Sequence, residues 1–125
     1  MDNASLIAEA RACAGQFTLS QPWLTAGSVA AALVTEDGNL YTGICLELAC
    51  GIGCCAEHSA IAAMLNSRET VIKKIVAVTI VDILAPCGRC RELMVQVDAQ
   101  NLDAEVILPL GEVRTVRELL PYTWK

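Results

Sequence analysis

Two short cysteine-containing segments carry the residues of this chain that are best suited to chemistry. The first is Cys55-Ala56-Glu57 and the second is Pro86-Cys87-Gly88-Arg89-Cys90. Three thiolates can fill three of the four tetrahedral positions around Zn²⁺, and a catalytic zinc site keeps the fourth for water or substrate. Because no other His or Cys pair has tight ligand spacing, the pattern predicts an open zinc site formed by Cys55, Cys87 and Cys90.

Glu57 follows Cys55, the first predicted ligand, by two residues. Zinc lowers the pKa of bound water to about 7, and a neighbouring carboxylate can accept the released proton and pass it to a leaving group. We therefore predict that Glu57 is the catalytic residue. Taken alone, the Cys-x-x-Cys segment could instead be a redox pair, and the seven cysteines could be core residues or incidental thiols.

The elements around these segments predict a layered α/β domain with the cysteines at helix starts. The hydrophobic pattern predicts helices over residues 4–17, 54–66 and 87–97, strands over 28–34, 40–48, 75–84 and 105–108, and a strand or helix over 113–120. The Asp37-Gly38 turn makes the first strand pair antiparallel, whereas strands separated by helices favour parallel pairing, so we expect a mixed sheet. The positive end of a helix lowers thiol pKa values and favours the metal-binding thiolate.

Length and composition predict one domain spanning residues 1–125. Hydrophobic residues make up 54% of the chain and charged residues 18%, which excludes a disordered protein. A net charge of −5 without a basic cluster disfavours a nucleic-acid partner. We expect no secretory signal and no membrane span, because no apolar stretch reaches about 20 residues. Seven cysteines in such a chain are typical of a reducing cytoplasm.

At the two cysteine segments the chain resembles the small cytidine deaminases and blasticidin S deaminase. A non-ligand Glu two residues after the first of three zinc ligands is a pattern of zinc-dependent deaminases. The resemblance covers most of the chain and extends to Ala30-Ala31-Ala32-Leu33, Asp37-Gly38, Thr42-Gly43 and Glu118-Leu119-Leu120-Pro121. Three further residues are similar to the blasticidin type, namely Arg89, Tyr122 and Trp124.

The resemblance implies a three-layer α/β/α sandwich with a five-stranded mixed sheet, assembled as a homotetramer with active sites near subunit interfaces. It implies one Zn²⁺ per subunit on the three cysteines. Glu57 would move protons between water, ring N3 and the departing ammonia. The backbone N–H of Ala56 would hold the ring carbonyl oxygen, and the carbonyl of Ala85 would accept from the exocyclic amine. The expected reaction converts cytidine or deoxycytidine to uridine or deoxyuridine and ammonia.

One departure from the family pattern concerns the sugar. Cytidine deaminases carry an Asn and, two residues on, a Glu that hold the ribose, and here those positions are Cys45 and Glu47. Glu47 can accept from a sugar hydroxyl, but a thiol is too weak a donor and acceptor to replace the Asn amide. A modified cytosine nucleoside or a nucleoside antibiotic such as blasticidin S is therefore the alternative substrate. Cys45 could also be a small core residue.

A second departure is His58, which stands where many cytidine deaminases carry Arg directly after the Glu. Three thiolates on Zn²⁺ leave a net charge of −1, which makes the bound water less acidic. A hydrogen-bond donor to the sulfurs offsets that loss of acidity. We predict that His58 acts there by hydrogen bonding and that Arg89 and Arg91 contribute charge, although His58 could simply pack on its helix. Two other classes remain open: a deaminase of nucleic acid, which the acidic charge disfavours, and a non-enzymatic protein with structural zinc.

Overall fold

In the computed structural model, the Asp37-Gly38 turn joins the two longest strands of a mixed sheet. The structure describes all 125 residues. The strands are β1 Phe17–Thr18, β2 Thr25–Thr35, β3 Leu40–Glu47, β4 Ile72–Val78, β5 Ile83–Leu84, β6 Glu105–Ile107 and β7 Val113–Thr115. The helices are α1 Asn3–Cys13, α2 Ala56–Asn66, α3 Gly88–Val97 and α4 Val116–Leu119, with 3₁₀ turns at Ala99–Asp103 and Pro109–Gly111. None of the helices has the length and apolar character needed to cross a membrane.

The sheet has seven strands, so the predicted number of five is wrong. Five strands of three or more residues run in the order β3-β2-β4-β6-β7, with β4 and β6 parallel and the other pairs antiparallel. The two extra strands, β1 and β5, have two residues each and pair antiparallel with β2 and β4. They form where the segment after α1 and the segment after β4 fold back onto the sheet.

The strand predicted over residues 75–84 is two antiparallel strands, β4 and β5. The turn between them is closed by the N–H of Thr79, which donates to the carbonyl of Asp82 over 2.9 Å. The Thr79 hydroxyl also accepts from the N–H groups of Val81 and Asp82. A Thr hydroxyl that bonds the backbone of the next residues favours a turn, and here it overrides the β-branched run.

Helices cover both faces of the sheet, as predicted for a three-layer α/β/α sandwich. On one face α1 packs through Leu6 and Ala10 against side chains of β2, β4 and β6. On the other face α2 and α3 pack through residues such as Ile61, Met64 and Met94 against the alternate side chains of the same strands. This alternation is what a strand buried on both faces requires, and it confirms the layered architecture.

The first half of α2 lies unusually close to β3. A Cβ atom on Gly43 would stand 2.3 Å from the backbone nitrogen of Ala60 and 2.6 Å from the Cβ of Ser59, so only glycine fits there. The Ser59 hydroxyl also donates to the carbonyl of Ile44 over 2.8 Å. These contacts fix the start of α2, which carries Glu57, relative to the strand that carries Cys45 and Glu47.

Candidate active site

The N-termini of α2 and α3 bring three cysteines together. Cys55 and Cys87 are the N-cap residues of these helices, and neither side chain makes a capping hydrogen bond, so both sulfurs are free to bind another group. The Sγ atom of Cys87 lies 3.5 Å from those of Cys55 and Cys90. Sulfurs that bind one tetrahedral Zn²⁺ at about 2.3 Å lie about 3.8 Å apart. The three thiols therefore fit a zinc ion.

His58 gives this cluster a fourth donor atom. Its Nδ1 lies 3.5 Å from the Sγ atom of Cys90, and the ligand atoms of Cys55, His58 and Cys90 all lie within 4.8 Å of one another. Two sets of three ligands are thus geometrically available. One is Cys55, Cys87 and Cys90, and the other is Cys55, His58 and Cys90. Cys55 and Cys87 both line the cavity described below, whereas His58 does not, so the cysteine set is the one with two of its three members in the cavity wall.

Glu57 lies in the first turn of α2, with its side chain in the wall of the same cavity. The residue is only 5% exposed. Burial raises the pKa of its carboxyl above the usual value, and the hydrogen bond from its own backbone opposes that effect in part. A raised pKa brings the carboxyl closer to neutral pH, where it can both accept and donate a proton.

The cavity beside Glu57 has a volume of about 470 Å³, within the usual range for small-molecule sites. Eight of the residues considered from sequence line it: Cys45, Glu47, Cys55, Ala56, Glu57, Ala85, Cys87 and Arg89. Cys90 is fully buried beneath this wall, next to His58. The structure therefore places the predicted zinc ligands, the predicted proton carrier and the predicted sugar contacts around one space.

A comparison of the sequence with known families agrees with this arrangement. The family described as "Cytidine and deoxycytidylate deaminase zinc-binding region" matches residues 6–104. The chain belongs to this family. It is accordingly a zinc-dependent hydrolase of the cytidine deaminase type, and the resemblance found in the sequence is confirmed.

Individual relatives support the same assignment for this deaminase. A protein described as cytidine deaminase from Halalkalibacterium halodurans is 34% identical over 101 residues, which is 74% of each chain. The crystal structure of cytidine deaminase from Mycobacterium leprae superposes with a TM-score of 0.81, at 29% identity over 98% of this chain and 99% of the other. Cytidine deaminase from Burkholderia pseudomallei gives a TM-score of 0.78, at 30% identity over 99% of this chain and 100% of the other.

The three thiols of the deaminase differ in acidity. Burial and then the hydrogen bond with Cys87 raise the pKa of Cys55, and burial together with the Glu57 carboxylate raises that of Cys90. Burial also acts to raise the pKa of Cys87, but hydrogen bonds from the backbone and side chain of Cys90 outweigh it and lower the value. Cys87, the one thiol of the three whose pKa is lowered, thus lines the cavity together with Cys55, and a bound divalent cation would favour the thiolate at all three positions.

Part of the cavity wall is formed where β2 bulges away from β3. The register between these strands shifts between Ala26 and Ala30, which releases backbone N–H groups from the ladder. The N–H of Ser28 donates to Oε1 of Glu47 over 3.3 Å, and the N–H of Val29 donates to the Sγ atom of Cys45 over 3.3 Å. The bulge thus turns two main-chain donors towards the two residues predicted to meet the sugar.

Glu47 is a strongly hydrogen-bonded carboxylate. A hydrogen bond from the Ser28 side chain is the main cause that lowers its pKa to about 2. Burial is the next largest effect and opposes it, and hydrogen bonds from Thr25, Cys45 and Gln16 lower the pKa further. Glu47 is therefore ionised throughout the neutral range. Sequence reasoning missed Gln16, Thr25 and Ser28, because neither the bulge at Ser28 nor the contacts that bring Gln16 and Thr25 to Glu47 leave a mark in the hydrophobic pattern.

Sequence reasoning also missed a role for Arg91 in holding the second cysteine segment. Its Nε donates to the carbonyl of Pro86 over 2.8 Å, and its Nη1 donates to the carbonyl of Leu119 over 2.8 Å. Arg91 thus ties the loop before Cys87 to α4. Tyr122 and Trp124, which resemble residues of the blasticidin type, are 90% and 74% exposed and do not line the cavity.

Proposed function

We propose that this deaminase hydrolyses the exocyclic amine of cytidine or deoxycytidine, and releases ammonia with uridine or deoxyuridine. The observation that carries the proposal is the buried carboxyl of Glu57 in the wall of a single 470 Å³ cavity, beside three cysteines at zinc spacing. A protein whose zinc only stabilises the fold has no use for a buried carboxyl at an open coordination position.

Cys55, Cys87 and Cys90 are the proposed ligands of one Zn²⁺. When bound there, the ion supplies Lewis-acid polarisation and makes water a nucleophile at neutral pH. His58 and Arg89 are the proposed outer partners of the cluster. His58 reaches the Sγ atom of Cys90, and burial and then the charge of Arg89 lower its pKa, which favours the neutral imidazole with one N–H to donate.

Glu57 is the proposed proton carrier. It accepts a proton from the attacking water, whose oxygen bonds to C4 of the ring, and delivers that proton to ring N3. It then transfers the proton of the new hydroxyl to the amine, so that the C4–N bond breaks and ammonia leaves while C4 becomes a carbonyl. Its raised pKa matches a group that must alternate between the two protonation states.

The ring and the sugar are proposed to lie at opposite ends of the cavity. Ala56 is the first residue of α2, where backbone N–H groups have no partner within the helix, and it lines the cavity as a donor for the ring carbonyl oxygen. The carbonyl of Ala85 is the proposed acceptor for the amine. Glu47 and Cys45 lie on β3 in the cavity wall and are the proposed contacts of the sugar.

Cys45 favours one alternative substrate, a cytosine nucleoside with an altered sugar. Its thiol already donates to Oε1 of Glu47 over 3.3 Å and accepts from the N–H of Val29, so it offers the sugar little further hydrogen bonding. The experiment is ammonia release by the zinc-loaded protein from cytidine, deoxycytidine, cytosine, blasticidin S and adenosine. Cytidine or deoxycytidine should be turned over fastest. Faster turnover of blasticidin S would favour the alternative, and turnover of none would contradict both.

We also propose that the protein assembles as a homotetramer in the cytoplasm. Several large apolar side chains are exposed, with the highest exposed fractions at Leu110, Tyr122, Trp124, Val81, Trp23, Ile80 and Ile52. Apolar surface of this extent supports burial against other subunits. The seven free cysteines support a reducing compartment. Light scattering coupled to size-exclusion chromatography should give four times the mass of 13.3 kDa, and a monomer would contradict the assembly.

A further inference from the structure

Gln16 lies outside the cavity and holds the Glu47 carboxylate in the cavity wall. Its Nε2 donates to Oε2 of Glu47 over 2.8 Å and lies 3.2 Å from the hydroxyl oxygen of Thr25. That hydroxyl donates to the same Oε2 atom over 2.9 Å. Gln16 lies between α1 and β1, next to Gly15, whose N–H donates to the carbonyl of Gly27 over 2.8 Å and closes this segment onto β2.

The two oxygens of Glu47 face different surroundings. The partners of Oε1 are Ser28 and Cys45, and both line the cavity. The partners of Oε2 are Gln16 and Thr25, and neither lines it. Oε1 is therefore the oxygen available to a bound molecule, while Oε2 is the point by which the protein anchors the carboxylate.

The four acceptor positions of the Glu47 carboxylate already have four protein donors. Three of them are an amide, a hydroxyl and a backbone N–H. The fourth, the thiol of Cys45, is the weakest kind of donor in the set. A hydroxyl that approaches Oε1 from the cavity can therefore replace the thiol at little cost, whereas displacing any of the other three donors costs a stronger bond.

We propose that Gln16 is a positioning residue for the substrate's sugar: it anchors Oε2 of Glu47 so that Oε1 accepts a sugar hydroxyl in place of the Cys45 thiol. The inference rests on the proposed function, because it takes the ligand to be a nucleoside. It predicts that Gln16 governs the binding of the sugar and leaves the chemistry at the ring unchanged. Without its amide donor, Glu47 is held by Thr25 alone at Oε2 and loses its fixed direction.

The test compares Gln16→Leu, which removes the donor, with Gln16→Glu, which keeps the length and shape of the side chain but replaces the donor with a carboxylate that repels Glu47. Both variants should raise KM for the preferred nucleoside about tenfold and leave kcat within about twofold. KM for cytosine, which has no sugar, should not change. The matched control is Gln100→Leu, since the Gln100 side chain is exposed and makes no hydrogen bond, and it should behave as the wild type. Thermal unfolding of each variant identifies any loss of fold.

Calorimetric titration with uridine and uracil separates this inference from the proposed function. If the wild type binds uridine but releases no ammonia from any cytosine compound, the proposed function fails while the role of Gln16 is still measured by the affinity for uridine. Wild-type KM and uridine affinity in Gln16→Glu would overturn the inference, because the donor would then be dispensable. Equal losses for cytosine and the nucleoside, or a fall in kcat, would also overturn it. A wild type that binds neither ligand would overturn both proposals.

Discussion

Replacing Gly43 with alanine tests the close contact that positions the catalytic helix. The added Cβ would lie 2.3 Å from the nitrogen of Ala60, whereas ordinary contacts of this kind are 3.4–4 Å, so α2 must move away from β3 by about 1 Å. Overpacking of this kind typically costs about 1–3 kcal/mol. Glu57 lies one turn before Ala60 and moves with the helix, and a misplacement of about 1 Å in a catalytic group can cost about 100-fold in rate.

Gly43→Ala should therefore lower Tm by about 5–15 °C and lower kcat by about 10- to 100-fold. Thermal unfolding and ammonia release measure the two effects on the same sample. Gly88→Ala is the stability control, because a Cβ there meets nothing within 4 Å. Since alanine favours a helix over glycine, the control should keep or slightly raise Tm. Wild-type Tm and kcat in Gly43→Ala would refute the claim that this contact sets the position of Glu57.

Three further predictions concern single side chains. Asn101 is fully buried and makes three hydrogen bonds of 2.7–2.9 Å with backbone groups, so Asn101→Ala should lower the free energy of unfolding by about 2–4 kcal/mol in denaturant titrations. The pKa of Glu47 falls from 4.5 to about 2, so its contribution to stability is complete above pH 4.5 and is lost as the pH falls towards 2. The Tm difference between wild type and Glu47→Gln should shrink over that interval, and a constant difference would contradict this. His58→Ala should keep a bound zinc but weaken its affinity about 10- to 100-fold in chelator competition, whereas complete zinc loss would make His58 a ligand.

The predicted site residues of each cysteine segment lie together in the structure because they are close in sequence. Cys55 and Glu57 share one helix start, and Cys87 and Cys90 share another, so local spacing already determines which side chains meet. The layered fold was predictable for a different reason: both faces of the central strands are apolar, so each face must be covered by helices.

The parts that sequence reasoning missed depend on contacts between distant segments. The β2 bulge that redirects Ser28 towards Glu47 is set by the pairing with β3, and the anchoring by Gln16 depends on how the end of α1 folds back onto β2. The turn that splits residues 75–84 into two strands depends on the Thr79 hydroxyl. It accepts hydrogen bonds from the backbone N–H groups of Val81 and Asp82, which the β-branched pattern does not reveal. In each case a side chain of ordinary type gains its role from a backbone group far away in sequence.

The most direct test of the account is ammonia release by zinc-loaded wild type and Glu57→Gln, with the zinc content of both samples measured together. The replacement keeps the size of the side chain but removes its ability to carry a proton, so the variant should retain zinc and Tm while turnover falls by at least about 100-fold. Glu57→Gln with wild-type turnover would contradict the role of the carboxyl. A wild type that binds zinc but turns over no cytosine compound would make the metal structural.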